Sequence, residues 1–316
     1  MLPPFTSALF PFAQYTTPMD TFLQQLVNGL TIGSMFALIA LGYTMVYGVM
    51  KLINFAHGDL VAGSAFVGLF VFSQLLGGEV SLPVVIGVFL LTIVAIALLG
   101  FTVERLAYRP LRTAPRLSAV VSALGASMVI QNGIMLLWGP QMQIFPELIP
   151  SVIWEVGGVV ISLMQVLIMV LSTLLMVGLY FFVEKTKIGT AIRASAIDQD
   201  AARLMGINVN NIIVTIFLIG SSLGAVGGLF IGLYYRGITF NMGWQYGLYA
   251  FVAAIIGGIG NIPGAMLGGL LLGLFKAFIA GYVSSTWADA FTFILLIVIL
   301  IVRPTGILGE RVAEKV

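Results

Sequence analysis

The chain has no cysteine and one histidine among its 316 residues. That removes disulfides, thiolate-bound zinc, thiol catalysis and any site built from several imidazoles. Charge is scarce too: Asp, Glu, Lys and Arg make up 8% of the sequence, against about a quarter in an ordinary soluble domain. No G-x-x-x-x-G-K-S/T stretch occurs, nor even a Gly-Lys pair, so the chain offers no phosphate-binding loop. It also lacks H-E-x-x-H and any pair of carboxylates within an apolar run, groups on which an intramembrane protease or hydrolase could be built.

What remains is apolar. Hydrophobic residues make up 60% of the chain and the mean hydropathy is +1.11. A water-facing surface cannot be built from this, and the bilayer is the solvent that fits. Apolar runs cover residues 22–50, 60–76, 82–101, 117–138, 159–183, 212–235, 246–259, 265–282 and 288–302. At about 20 residues per spanning helix, the expected fold is an all-α polytopic bundle of about eight to ten spans. The 60–76 run and the short 246–259 run, which ends in Gly257, Gly258, Gly260 and Pro263, are candidates for re-entrant segments. Residues 1–18, with four prolines and no Lys or Arg, read as a poorly structured leader ahead of a single transmembrane domain at 19–316, and Met19 is an alternative start.

Basic residues orient the bundle. Arg105, Arg109, Arg112 and Arg116 lie in one loop, and Lys185, Lys187, Arg193 and Arg203 in another at 184–211. Arg303, Arg311 and Lys315 lie in the C-terminal tail. The positive-inside rule places all three in the cytoplasm. The 139–158 loop, with Glu147 and Glu155 and no Lys or Arg, then lies outside, and Arg236 is the one cation left in the outer loops. Trp138, Trp154, Trp244 and Trp287 fall near outer ends, where tryptophan anchors helices at the interface.

Three groups of residues stand out. In the 184–211 loop, Asp198 suits a helix N-cap, Asp200 the first turn and Gly206 the left-handed position after the last turn. The helix between them is about two turns long, with Ala201, Leu204 and Met205 as its apolar side and Arg203 as its cation. So short a helix is unstable alone and must dock, either on its own bundle or on another protein. The second group is INFAHGD, where Asn54, His57 and Asp59 form a polar cluster beside apolar runs. It is either a satisfied turn or a gate lining the substrate path, with His57 sharing a proton with Asp59 or Asn54. The third is Lys276, expected near mid-depth without an acid of its own chain to meet it, so that it faces a cavity or a partner chain. Gln131 and Asn132 are expected either to bond between helices or to line the path. Gly224, Gly228 and Gly232, and Gly260, Gly264 and Gly268, repeat every four residues, with Gly269 and Gly273 beside them, and are expected to let helices pack closely.

Five stretches together carry a family resemblance: residues 22–59, VERLAYRPLR at 103–112, IRASAIDQDAARLMGIN at 192–208, GGIGNIPGAMLGG at 257–269 and RPTGILG at 303–309. In this order the chain resembles the LivH-like branch of the branched-chain amino-acid permeases of ABC importers. Asp200-Ala201-Ala202 followed by Gly206 is similar to the EAA…G loop of importer permeases, with Asp where Glu is usual. The resemblance implies a non-enzymatic permease subunit of the bacterial inner membrane with its C-terminus in the cytoplasm. It implies as partners a second homologous permease, two cytoplasmic ATPases and a periplasmic substrate-binding protein, with no cofactor, metal or nucleic acid. Asp198, Asp200, Ala201, Ala202, Arg203 and Gly206 would then couple to the ATPase. Urea and amide importers share these motifs. An ion-coupled carrier would want acids deep in its spans, and the acids here sit at ends and loops.

Overall fold

The computed structural model describes residues 18–309 except Thr113. Residues 1–17 of the expected leader, and Arg311 and Lys315 of the tail, lie outside the described residues; Pro18 and Met19, the alternative start, belong to the first helix. Exposure below means exposure to bilayer or water alike.

The chain is a helical bundle. Its long helices are α1 (Pro18–Met50), α2 (His57–Phe70, prolonged by a π turn to Leu75), α3 (Leu82–Val103), α4 (Arg116–Trp138) and α5 (Leu163–Lys185). After two short helices, α6 (Lys187–Ile197) and α7 (Gln199–Leu204), follow α8 (Val209–Tyr235), α9 (Met242–Gly257), α10 (Ile262–Tyr282) and α11 (Ala288–Val302). Among the described residues, seven helical spans are long and apolar enough to cross a bilayer, while α11 is shorter and apolar. Short strands β1 (Gln143–Ile144), β2 (Ile153–Val156), β3 (Val159–Ser162) and β4 (Gly237–Ile238) add two small antiparallel pairs, β1 with β4 and β2 with β3.

The buried centre is α1 and α8, with α2, α9 and α10 packed around them. Glycine makes this closeness possible. A Cβ at Gly228 would overlap the Val61 carbonyl oxygen and the Ser64 hydroxyl of α2, and one at Gly232 would meet the Phe145 ring. Gly264 and Gly268 set α10 against α9 at Gly257 and Ala253, whereas Gly269 and Gly273 set it against α1 at Ala37 and Gly33. The second expected ladder therefore divides. Gly260 is not on the helix but in the turn before it, at φ +97°, a conformation in which glycine carries no steric penalty.

Contacts gather the basic segments at one end. Arg112 bonds Asn210 of α8, Gln199 of α7 donates to the Val49 carbonyl at the end of α1, and Leu308 N–H donates to the Gly257 carbonyl. At the opposite end, Gln24 of α1 pairs with the backbone of Val160, and Arg236 meets Glu147. Residues 246–257 of the 246–259 run lie in one continuous 16-residue helix, α9, and Gly258 and Ile259 fall in the turn after it.

Two features differ from the sequence reading. Residues 159–162 belong to a hairpin, because Gly157 and Gly158, both at positive φ, turn the chain back on itself. The 184–211 loop also holds a second helix, α6, capped by the Thr186 hydroxyl.

Candidate functional site

At the basic end, α7 is a knob held from below. The Asp198 carboxylate accepts from the N–H groups of Asp200 and Ala201, at 2.9 and 3.0 Å. At its far end Gly206 stands at φ +83°. Gly206 N–H donates to the Arg203 carbonyl and Ile207 N–H to that of Ala202, closing the last turn. Ala202 is buried against the bundle, and Gln199 reaches the end of α1. The other side faces outward: Leu204 is 89% exposed, Met205 82% and Ile197 89%. Arg203 pairs with Asp200 at 2.8 Å in the open. The apolar side read from sequence thus points away from the bundle.

Beside the knob lies a buried clamp that the sequence reading missed. Glu104 is fully buried where α3 gives way to a π turn, and it pairs with Arg112, which also bonds Asn210 in the first turn of α8. Burial pulls the Arg112 guanidinium below its ordinary value, and the Glu104 charge opposes that. The clamp joins the α3–α4 connection to the start of α8, directly after α7. Its sequence signal was a lone acid opening a strongly basic loop.

The second group lies inside the bundle. His57 Nε2 donates to the Ile39 carbonyl at 3.2 Å, and its ring meets Tyr43 edge-on with 4.8 Å between centroids. Ile39 is eleven residues before the end of α1, so at 1.5 Å per residue α2 begins about 16 Å inside the bundle. Residues 51–56 carry the chain back to that depth, which six extended residues reach, since they span up to about 20 Å. The start of α2 is therefore a broken-helix end near mid-membrane, the kind of backbone tolerated only where protein surrounds it. Gly42 and Gly224 leave the slot the imidazole fills, and Gly58 packs on Gly243 and Gly247 of α9.

His57 N–H donates to the Asn54 carbonyl at 3.1 Å, but the side chains of Asn54, His57 and Asp59 do not bond one another. Asn54 accepts from the Tyr108 hydroxyl at 3.0 Å. Asp59 Oδ2 accepts from Ser127 of α4, while its Oδ1 is buried without a hydrogen bond. The expected proton sharing by His57 is replaced by its bond to the α1 backbone, because the α2 helix aims the imidazole at α1 and the carboxylate at α4. Gln131 lies one turn beyond Ser127 on α4 and is half-buried, whereas Asn132 is exposed and donates to its own helix at Met128.

Lys276 is placed differently from the expectation. It lies six residues before the end of α10, about 9 Å from that end rather than at mid-depth. Its ammonium is 2.8 Å from Asp289 in the first turn of α11 and 3.3 Å from the centre of the Tyr249 ring. The partner is thus an acid of the same chain, brought round by the 283–287 turn.

Residues 25–300 match the model of a family described as branched-chain amino acid transport system / permease component. The chain is 46% identical over 301 residues to the high-affinity branched-chain amino acid transport system permease protein BraD of Pseudomonas aeruginosa, covering 93% of this chain and 98% of that protein. It is 41% identical over 302 residues to the corresponding permease LivH of Escherichia coli K12, with the same coverage. A more distant relative, the probable branched-chain amino acid transport permease LivM of Methanocaldococcus jannaschii, is 23% identical over 92% of this chain and 84% of that protein.

Proposed function

The chain belongs to the family of branched-chain amino acid transport permeases, and from that membership we propose that it carries branched-chain or other apolar, neutral amino acids across the bacterial inner membrane. It is a multi-pass membrane protein and a permease of a binding-protein-dependent ABC system. In our reading it pairs with a second, homologous permease of the LivM kind, and two cytoplasmic ATPases and a periplasmic binding protein complete the importer. The relatives' names speak for amino acids, and neither a urea or amide importer nor an ion-coupled carrier draws support from them.

One observation carries the mechanism: a six-residue helix capped at both ends that presents Leu204 and Met205 outward at 89% and 82% exposure. Burying each in a partner is worth about 1.5–3 kcal/mol, and its own bundle does not bury them. ATP binding draws the two ATPases together, and α7 follows the groove it sits in. Gln199 passes the motion to the end of α1, and the Glu104–Arg112–Asn210 clamp passes it to the α3–α4 connection. The half-helix start at His57 to Asp59, wedged between α1, α4, α8 and α9, is the element at mid-depth that these shifts would regate. Lys276, paired to Asp289, holds α11 to α10. The positive-inside rule puts the knob, the clamp and the C-terminus in the cytoplasm.

The test is reconstitution with the partner subunits. Leu204→Glu with Met205→Glu should leave the permease inserted and folded, since both positions are open, but should abolish co-purification of the ATPases and leucine uptake. Full uptake by that double variant removes the docking role of α7.

A further inference from the structure

At the end opposite α7, the 139–162 loop and the last turn of α8 enclose a cleft of about 130 Å³. Its walls are apolar at Ile149, Ile153, Met164 and Leu233, and two charged residues, Glu147 and Arg236, also line it. The frame is firm: Phe145 and Leu148 of the loop are buried, Phe145 N–H donates to the Arg236 carbonyl at 2.7 Å, and the β1–β4 pairing continues directly from that bond.

Arg236 is held at a cost. It caps α8 at φ +64°, a left-handed conformation that costs a residue with a Cβ about 1–2 kcal/mol. Glycine is the usual occupant there, and Gly237 stands one position too late. Its guanidinium is 3.4 Å from Glu147, longer than a charge-assisted bond of about 2.7–2.9 Å, with both side chains nearly half exposed. Such a pair contributes little on its own. Arg236 Nε is buried and has no hydrogen-bond partner. Arg236 is also the one Lys or Arg in the loops at this end among the described residues. An anion arriving there meets no other loop cation.

We propose that this cleft is a low-affinity receiving site for a zwitterionic amino acid with an apolar side chain. Arg236 takes the carboxylate and Glu147 the ammonium, so the ligand replaces a loose contact with two charge-assisted ones. The side chain lies against Ile149, Ile153, Met164 and Leu233. A cavity of about 150 Å³ admits benzene, so this one suits a valine- or leucine-sized side chain with the charged end at the opening. The inference rests on the permease reading above, which makes this end the side from which substrate comes. It adds a stop between release from a binding protein and entry to the bundle, and it makes the permease a second filter for the two charges of the substrate.

The experiment is saturation-transfer NMR with L-leucine on the assembled permease–ATPase complex in nanodiscs, without ATP or binding protein. Leucine is expected to bind in the millimolar range. Leucinamide, which lacks the carboxylate, and 4-methylpentanoate, which lacks the ammonium, should each bind at least about tenfold more weakly. Arg236→Gln should remove the leucine signal and Arg236→Lys should keep part of it. Met164→Trp, which fills the cleft and touches neither charge, should remove it in a complex that still assembles. An unchanged signal in Arg236→Gln, or equal binding of leucine and leucinamide, overturns the proposal. So does a variant that captures the binding protein more weakly yet binds leucine as before, since the cleft would then be a docking surface. Leucine uptake by the complete importer is measured in parallel. Failure of uptake with an intact leucine signal would fault the transport reading and leave the cleft standing.

Discussion

Replacing Arg112 with Met strips the partner from a carboxylate that has no access to solvent. Glu104 is 0% exposed and Arg112 15%, and Glu104 Oε2 already lacks a hydrogen bond. Breaking a buried pair from one side costs about 3–5 kcal/mol, because the remaining charge is left without compensation. At about 1.4 kcal/mol per factor of ten, that lowers the ratio of folded to unfolded protein by two to more than three orders of magnitude. Removing both charges, Glu104→Gln with Arg112→Met, leaves an uncharged amide in the same space and should recover most of the loss. Arg203→Ala, at a pair whose side chains are 56% and 87% exposed, should cost no more than about 1 kcal/mol. The assay is SDS-induced unfolding of the purified permease in mixed micelles, read from tryptophan fluorescence. The reasoning is refuted if Arg112→Met is as stable as wild type, or if the double variant is no more stable than the single one.

Other changes have equally definite outcomes. Gly206→Val adds a β-branched side chain at φ +83°; the permease should insert normally, cost about 1–2 kcal/mol locally, and lose ATP-driven uptake by misplacing the end of α7. Gly228→Ala drives a methyl into the Val61 carbonyl and should lower stability by about 1–3 kcal/mol, whereas Gly125→Ala, with open space around it, should stay within about 0.5 kcal/mol; the same unfolding assay reads both. Ser127→Ala removes the hydrogen bond to the buried Asp59 carboxylate, with an expected loss of about 1–3 kcal/mol and faster proteolysis in the loops flanking α4.

Features that depend on neighbours in sequence could be read from it. Asp198 caps α7 and Gly206 closes it because both act within one turn of their own position. The basic segments fall at one end because hydropathy and charge alone decide which loops cross. Features that depend on contacts between helices could not. The return of the chain at residues 51–56 hides in a stretch whose average hydropathy looks like any helix connection. Only the slots at Gly42, Gly224 and Gly243 reveal how deep His57 and Asp59 lie. Lys276 was placed too deep because the run at 265–282 does not mark its own centre in the membrane, and Asp289 is reached only after the turn. Arg236 read as a leftover outer cation, since neither its backbone conformation nor the cleft beside it is written locally.

The absence of cysteine allows the most direct test of how the permease is driven. Leu204→Cys creates a single thiol in the chain, on the open tip of α7. In membranes carrying the whole importer, that thiol should cross-link to an ATPase subunit and should be shielded from a membrane-impermeant maleimide added outside the cell. Labelling from the outer side, or ATP-independent uptake by the permease with no ATPase attached, would contradict the account.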